Sequence, residues 1–174
     1  MNDGHDVTVR RAAAADVRAV AEVYTASWKA GYAGHFPADY LDALDVARAE
    51  ARFAESIGGG GGDQVWAAVR AEEIVGVTRF GPCRDTDHAD WGEVYIVYVH
   101  PAAWGTGAGR ALLATARREL AARGYTHAQL WLLDGNERAE RFYAADGWVH
   151  DGATKVDNRL GFAIPEVRLV RRLT

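Results

Sequence analysis

The apolar residues of this chain recur with two periods, and the longer one predicts helices. Residues three or four positions apart share one face of a helix, and that spacing joins Val17, Val20, Val23, Tyr24 and Trp28. This first helix is predicted to follow a cap at Asp16 and to end near Gly31. A second helix is predicted from Pro37 to about Ser56, because proline favours the first turn of a helix and the following run is rich in Ala, Arg and Glu.

Two more helices are predicted in the second half of the chain. One of them ends in Arg123–Gly124, a basic last turn followed by glycine. Its apolar stripe consists of Leu112, Leu113, Ala116 and Leu120. The other is predicted to be capped by Asn136, to place Ala139 and Tyr143 on one face, and to end before Gly147.

The shorter period, an alternation or a continuous run of apolar residues, predicts the strands. They are expected at Val7–Val9, Val65–Val69, Ile74–Phe80, Glu93–Val99 and Thr126–Leu133, followed by two more that include Thr154–Val156 and Val167–Arg171 and are broken by Asn158 and Pro165. The turn Arg70–Glu73 predicts a hairpin. Because Thr126–Leu133 follows a strand and a helix, we expect it to have a parallel neighbour. The whole pattern predicts a mixed α/β sheet.

Composition and length indicate an ordinary globular chain. Its 174 residues are typical of one domain, so we interpret residues 1–174 as a single domain and the glycine run from Gly58 to Gly62 as a mobile connection within it. The net charge of −4 argues against nucleic acid or an acidic membrane as a partner. One cysteine, no leader pattern and no membrane-length apolar run favour a cytoplasmic protein.

Two further features, a lone cysteine and an acidic loop, have little of the chemistry that a catalytic thiol or a metal site needs. Cys83 is a conceivable catalytic thiol, but no partner base accompanies it, so a small half-buried residue is the simpler interpretation. The segment from Cys83 to Asp90 holds Asp85, Asp87 and His88 without the spacing of zinc or calcium ligands. We therefore expect a solvated acidic loop and no metal.

The stretch from Glu93 to Leu113 has the pattern of a phosphate-binding element, since a strand is followed by a glycine-rich loop and a helix. Gly105, Gly107 and Gly109 allow backbone N–H groups to point outward together, and the helix directs its positive N-terminal end at the loop. A dinucleotide fingerprint would need its third glycine at Arg110, and a P-loop would end in Gly-Lys-Ser/Thr where this chain has Gly109-Arg110-Ala111.

The remaining pattern resembles the acetyl-CoA loop of the GCN5-related N-acetyltransferases (GNAT), Arg/Gln-x-x-Gly-x-Gly/Ala after a valine-rich strand. Trp104 stands where that family usually has Arg or Gln, which removes a side chain and leaves the backbone cradle intact. A second signature, Asn-x-x-Ala-x-x-x-Tyr-x-x-x-Gly-Phe/Trp, matches Asn136, Ala139, Tyr143, Gly147 and Trp148 in register. A loop that serves packing alone is the alternative, but two linked motifs disfavour it.

The resemblance covers nearly the whole chain and implies a GNAT domain with a mixed, mostly antiparallel central sheet flanked by helices. It also implies acetyl-CoA as the acyl donor. The residues it implies for binding that donor are the strand backbone of Val97, Tyr98 and Val99, the loop of Trp104, Gly105, Thr106, Gly107, Ala108, Gly109 and Arg110, and Asn136. The alternative role of Arg110 is that of a solvated helix residue, and the alternative role of Asn136 is that of a helix cap alone.

Two residues are candidates for the chemistry of acetyl transfer. A phenol of ordinary pKa near ~10 stays protonated at neutral pH, so Tyr143 is the candidate general acid for the departing thiolate, with core packing as its alternative role. Roughly one lysine-like amine in 10³ is neutral at pH 7, so a base is useful. Glu93, which opens the central strand, is the candidate base, and a solvated charge is its alternative role.

The segment Ser27–Pro37 resembles a Trp-x-x-x-Tyr-x-Gly-x-x-Pro pattern found in many small bacterial acetyltransferases. Trp28, Tyr32 and Tyr40, near His35, are therefore candidate acceptor-binding residues, although such aromatics either cage a cationic amine or fill the core. The function expected is direct acetyl transfer to a primary amine of a small molecule or peptide, with a homodimer as the candidate assembly. A non-catalytic acyl-CoA sensor is the main alternative, and the acidic charge disfavours aminoacyl-tRNA as the acceptor.

Overall fold

The computed structural model describes residues 7–59 and 62–173. Segments with the three-to-four-residue apolar period form helices, and segments with the two-residue period or a continuous apolar run form strands. The strands are β1 (Thr8–Arg11), β2 (Gln64–Arg70), β3 (Glu73–Pro82), β4 (Gly92–Val99), β5 (His127–Leu133), β6 (Val149–Asp157) and β7 (Ile164–Arg172). The helices are α1 (Val17–Gly31), α2 (Ala38–Asp42), α3 (Val46–Gly58), α4 (Ala108–Ala122) and α5 (Glu137–Ala145). None of the helices in these described ranges is both long and apolar enough to cross a membrane.

The seven strands form a mixed sheet in the order β1-β2-β3-β4-β5-β7-β6. The pairs β1/β2, β2/β3, β5/β7 and β6/β7 are antiparallel. The pair β4/β5 is parallel, with Gly92 opposite Ala128 and Glu93 opposite Gln129. The parallel neighbour expected for the strand after α4 is thereby confirmed, as is the mixed, mostly antiparallel sheet.

The described residues fall into two compact units. The first takes in the chain up to Phe80 together with Ile96–Ala116, and the second takes in Gly81–Tyr95 and the chain from Arg117 onward. That the whole chain is one domain stays a prediction. The glycine connection expected at Gly58–Gly62 falls partly on residues 60–61, which lie outside the described residues.

In the first unit, the end of β4 has an apolar cluster on each of its faces. Ile96 and Tyr98 pack against a cluster formed by α1, α3 and the strands β2 and β3. Val97 and Val99 pack against a second cluster, which includes Ala108 and Leu112 of α4. This alternation follows from the two-residue period of a strand.

The prediction of one helix from Pro37 to Ser56 is wrong, because two helices, α2 and α3, occupy that segment. After α2 the amide of Leu44 donates to the carbonyl of Leu41 (3.2 Å), which closes a tight turn in place of the next helical hydrogen bond. Asp45 is then extended (φ −117°, ψ 129°) and its carboxylate accepts from the amide of Ala47 at 2.9 Å. A side-chain cap therefore starts α3 within a run whose composition favours helix throughout.

In the second unit, two expectations about polar and proline residues were also wrong. Pro165 lies inside β7, opposite Val156, and its carbonyl accepts from the amide of Asp134 at 2.9 Å. The acidic loop is not merely solvated, because Asp85 accepts from Gln129 (2.6 Å) and Trp131 (2.7 Å) of β5. These two side chains of β5 anchor the loop to the sheet, and the local sequence pattern does not record such tertiary contacts.

Gly92 begins β4 beside a buried leucine of α4, which leads to a prediction about stability. A Cβ at Gly92 would lie 2.8 Å from Cδ2 of Leu120, a residue with no exposed surface. Overpacking of this kind costs about 1–3 kcal/mol. We expect Gly92→Ala to lower the free energy of unfolding by that amount in urea titrations.

The matched control is Gly31→Ala at the end of α1, where nothing lies within 4 Å of an added Cβ. We expect this variant to be neutral or stabilised by up to about 1 kcal/mol. Equal unfolding midpoints for the two variants would contradict the packing described for Gly92.

Candidate functional site

The carbonyl oxygen of Val99, at the end of β4, receives two side-chain hydrogen bonds. The Oγ of Ser27 donates to it from α1 at 2.7 Å, and the Nε1 of Trp104 donates to it from the glycine loop at 2.8 Å. A carbonyl oxygen has two lone pairs, so this acceptor is saturated. The indole at position 104 therefore ties the loop to the strand that precedes it.

The glycine loop has the backbone conformation that its sequence predicts. Gly105 and Gly107 have φ values of +79° and +89°, the left-handed region that favours glycine. An added Cβ at either residue would meet nothing within 4 Å, so both face open space. Gly109 differs, because it already lies in the first turn of α4.

Backbone donors are available where the loop enters α4. The amide of Ala111 donates to the carbonyl of Gly107 at 3.0 Å, the first hydrogen bond of the helix. The amides of Ala108, Gly109 and Arg110 precede it and have no helical acceptor, as at the start of any helix. Together with the helix dipole they favour an anion at this end of α4, and the exposed Arg110 adds a positive charge.

The aromatic residues predicted to bind an acceptor form part of one larger cluster in the first unit. The rings of Trp28 and Tyr32 lie 4.8 Å apart, and Tyr32 stacks on Phe36 at 4.5 Å. Tyr40 reaches the cluster through Phe36 at 6.4 Å. The hydroxyls of Tyr32 and Tyr98 lie 3.3 Å apart, which adds to the cluster the side chain of Tyr98, a residue predicted only for a backbone contact to the donor.

Glu93, the candidate base, is buried and bound by an arginine. Its side chain is only 2% exposed, which excludes a solvated charge. Its Oε1 accepts from the guanidinium of Arg84 (2.5 and 3.2 Å), and its Oε2 accepts from the amide of Arg84 at 2.9 Å. Arg84 also lies 4.3 Å above the ring of Tyr95. Sequence reasoning missed Arg84, because nothing local links a loop residue to a strand nine positions later.

Asn136 and Tyr143 lie at the start and near the end of α5 in the second unit. The side chain of Asn136 accepts from the amide of Ala139 at 3.2 Å, so its predicted capping role is confirmed. Tyr143 is half-buried, and its ring lies 5.0 Å from Phe142 and 6.3 Å from Trp148. Gly147, at φ +84°, ends the helix as the motif predicts.

Cys83 has the environment of an unreactive thiol. Burial raises the pKa of Cys83 to about 11, so the thiol stays protonated at neutral pH. The amide of Asp85 donates to its sulfur at 3.4 Å. This environment disfavours a covalent role for the chain's one cysteine.

Comparison with known proteins gives consistent matches at several levels. The model of the acetyltransferase (GNAT) family matches residues 20–148. An uncharacterized N-acetyltransferase of Bacillus subtilis, YuaI, is 32% identical over 132 residues, which cover 75% of this chain and 73% of YuaI. A mycothiol acetyltransferase of Frankia alni is 47% identical over 60 residues, but these cover only 34% of this chain and 18% of that protein.

Solved structures share the fold at low sequence identity. The PaiA N-acetyltransferase of Thermoplasma acidophilum, in complex with coenzyme A, has a TM-score of 0.79 at 17% identity and covers 96% of this chain and 99% of its own. YncA of Salmonella typhimurium, solved with acetyl-CoA, has a TM-score of 0.69 at 24% identity and covers 97% of this chain and 94% of its own. At these identities the two structures establish the fold alone.

Proposed function

Because this chain belongs to the acetyltransferase (GNAT) family and is an acetyl-CoA-dependent acetyltransferase, we propose that it acetylates a primary amine of a small molecule or peptide by direct transfer. The observation that carries the proposal is the loop between β4 and α4. Gly105 and Gly107 have left-handed backbones and face open space, and the loop leads into the first amides of α4, which have no acceptor within the helix. Such a cradle suits the pyrophosphate of coenzyme A.

In this proposal the donor supplies an acetyl group as a thioester, and the protein provides binding groups and proton transfers. The backbone of Val97, Tyr98 and Val99 holds the pantetheine arm and polarises the thioester carbonyl, while Trp104 to Arg110 hold the pyrophosphate. Asn136 adds a contact to the donor besides its role as a cap. The amine nitrogen forms the new bond to carbon as the carbon–sulfur bond breaks. The raised pKa of the Cys83 thiol favours this direct route over an acyl-enzyme.

The ammonium nitrogen loses two protons in such a reaction and the departing thiolate gains one, and we assign these transfers to Glu93 and Tyr143. Tyr143 gives the proton of its hydroxyl to the departing thiolate and regains one from the nitrogen of the new amide, directly or through water. Glu93 takes a proton from the incoming ammonium, directly or through water. Its Oε2 accepts one hydrogen bond, from the amide of Arg84, and therefore keeps a lone pair for this purpose. Trp28, Tyr32 and Tyr40 are proposed to contact the acceptor.

The reaction class and the acceptor class are tested together. We expect thiol release from acetyl-CoA with one class of amine in a panel of polyamines, amino acids, aminoglycosides and N-terminal peptides, with the acetylated product identified by mass spectrometry. Calorimetry with acetyl-CoA alone is the accompanying measurement. Binding with no turnover against any amine would favour the acyl-CoA sensor, and absence of binding would contradict the role of the loop.

The acid and the base are expected to differ in the pH dependence of their variants. Tyr143→Phe should lower kcat by about 10² or more and leave acetyl-CoA affinity unchanged, because only proton donation is lost. Glu93→Gln should lower kcat/KM most at neutral pH and less near pH 10, where the amine is neutral without help. The measurement is a pH series of steady-state rates with one acceptor.

Two controls separate chemistry from structure in that series. Tyr125→Phe removes a comparable hydroxyl from the second unit and should leave the rates unchanged. Arg84→Met removes the partner of Glu93. If Arg84→Met and Glu93→Gln lose the same factor at every pH, Glu93 positions Arg84 and is not a base. An unchanged kcat for Tyr143→Phe would remove Tyr143 from the mechanism.

The indole of Trp104 is expected to strengthen donor binding by holding the loop. Trp104→Phe keeps a ring and deletes the N–H that bonds to Val99. A lost hydrogen bond of about 0.5–1.5 kcal/mol corresponds to a Kd for coenzyme A that rises about two- to tenfold. Calorimetry with coenzyme A measures this change.

Trp66→Phe is the matched control for Trp104→Phe. The indole of Trp66 donates to Gln64 at 3.1 Å within β2, so its replacement also deletes one hydrogen bond in the first unit. The Kd should stay at the wild-type value. If both variants bind equally well, the side chain of Trp104 has no part in donor binding.

A further inference from the structure

A small cavity in the first unit lies between α1, α3 and the sheet. Its volume is about 60 Å³, and its walls include Tyr24, Arg52, Phe53, Ser56, Arg79 and Ile96. A water molecule needs only about 10–15 Å³ of such space, so a carboxylate or phosphoryl group can be accommodated. Phe53 and Ile96 form an apolar wall, and the remaining four side chains carry hydrogen-bond donors.

The charge of this cavity is positive because its two arginines are balanced by one carboxylate. Arg79 donates to Asp63 through Nε (2.9 Å) and Nη2 (2.5 Å), so this pair is close to neutral. Arg52 forms no ion pair within the described parts of the chain. It lies close enough to the hydroxyl of Tyr24 to lower the pKa of that group. One positive charge, on the exposed Arg52, therefore remains at a partly apolar cavity, which favours an anion.

The hydroxyl of Tyr24 is a suitable second donor. Burial raises the pKa of Tyr24 to about 12, and the nearby Arg52 opposes that rise without cancelling it. The phenol thus keeps its proton over the physiological range and can donate to an anion.

The cavity is also close to the strand that is proposed to hold the donor. Ile96 forms part of its wall, and Val97 to Val99 follow directly along β4. Three residues of strand span about 10 Å, so the cavity lies one short strand segment away from the backbone that is proposed to hold the donor. An anionic group held at Arg52 therefore places the rest of a small molecule along this end of β4.

We propose that the cavity binds an anionic group of the acceptor, so that the preferred substrate is a small amine bearing a carboxylate or a phosphoryl group. Arg52 supplies the charge, and Tyr24 and Ser56 supply neutral donors. This inference rests on the proposed acetylation of a small amine and narrows its acceptor. Polyamines and aminoglycosides, which carry only positive charge, are disfavoured by the same arginine.

The test compares amines that differ only in the anionic group, with the full chain and acetyl-CoA. The pairs are 4-aminobutyrate and butylamine, phenylalanine and 2-phenylethylamine, and 2-aminoethyl phosphate and ethanolamine. We expect the anionic member of at least one pair to have a kcat/KM at least tenfold higher than the counterpart that lacks the anionic group. Preference for the carboxylate or for the phosphate identifies which anion the cavity takes.

The variants locate that preference at Arg52. Arg52→Met should raise KM for the anionic amine at least tenfold and leave the rate with its counterpart unchanged, and Arg52→Lys should recover part of the loss. Arg48→Met is the matched control, because it removes the same charge one turn earlier on α3 from an exposed residue that is not part of the cavity. Thermal unfolding verifies that each variant is folded.

Failure of this inference and failure of the proposed function give different results. Equal acetylation of both members of every pair, or equal losses for Arg52→Met and Arg48→Met, would overturn the anion site and leave the acetyltransferase proposal standing. Calorimetry with the same amines gives a readout without turnover. Binding of an anionic amine to the wild type and not to Arg52→Met would support the site even if no amine is acetylated, and no binding together with no turnover would overturn both proposals.

Discussion

The carbonyl of Val99 is the acceptor on which the geometry of the first unit depends. Ser27 of α1 and Trp104 of the glycine loop both donate to it, at 2.7 and 2.8 Å. This one carbonyl oxygen therefore connects α1, the end of β4 and the glycine loop. The next amide, of His100, donates to Val75 of β3 at 2.8 Å and fixes the chain on leaving the strand. The loop is therefore ordered before any ligand binds, which removes an entropic cost of binding.

The two faces of β4 carry the contacts that are proposed for the two substrates. Val97 and Val99 pack toward the cluster that includes Ala108 and Leu112 of α4, the helix that begins directly after the glycine loop. Ile96 and Tyr98 pack toward α1 and α3, where the aromatic residues and the cavity lie. Because the period of a strand is two residues, a shift of one residue would exchange these faces, and the packing of both clusters specifies the register. The proposed donor and acceptor contacts of the first unit thus follow from a single alternation.

Local sequence was sufficient for the elements and for the glycine loop, because both depend on residues close together in the chain. Gly105 and Gly107 have the backbone that their spacing predicts, and Asn136 caps its helix. The break between α2 and α3 was missed, since a single capping Asp45 outweighs a run of good helix formers. The clamp of Arg84 on Glu93 and the grouping of Arg52 with Arg79 were also missed, because tertiary contacts create them and no periodic pattern records such contacts.

The aromatic cluster left a choice between a cage for a cationic amine and a packed core, and its geometry bears on that choice. Tyr32 and Phe36 stack with planes 7° apart, and Trp28 has ring contacts with Tyr24, Tyr32, Phe36 and Tyr98. Rings that cover one another's faces offer less surface to a cation, since cation–π attraction needs the face of the ring. Recognition of charge by this unit is then better served by Arg52 than by the aromatics. In a chain of net charge −4, an anionic acceptor is attracted only where such a positive group is held locally, and Arg52 in the cavity wall is the group proposed for that role.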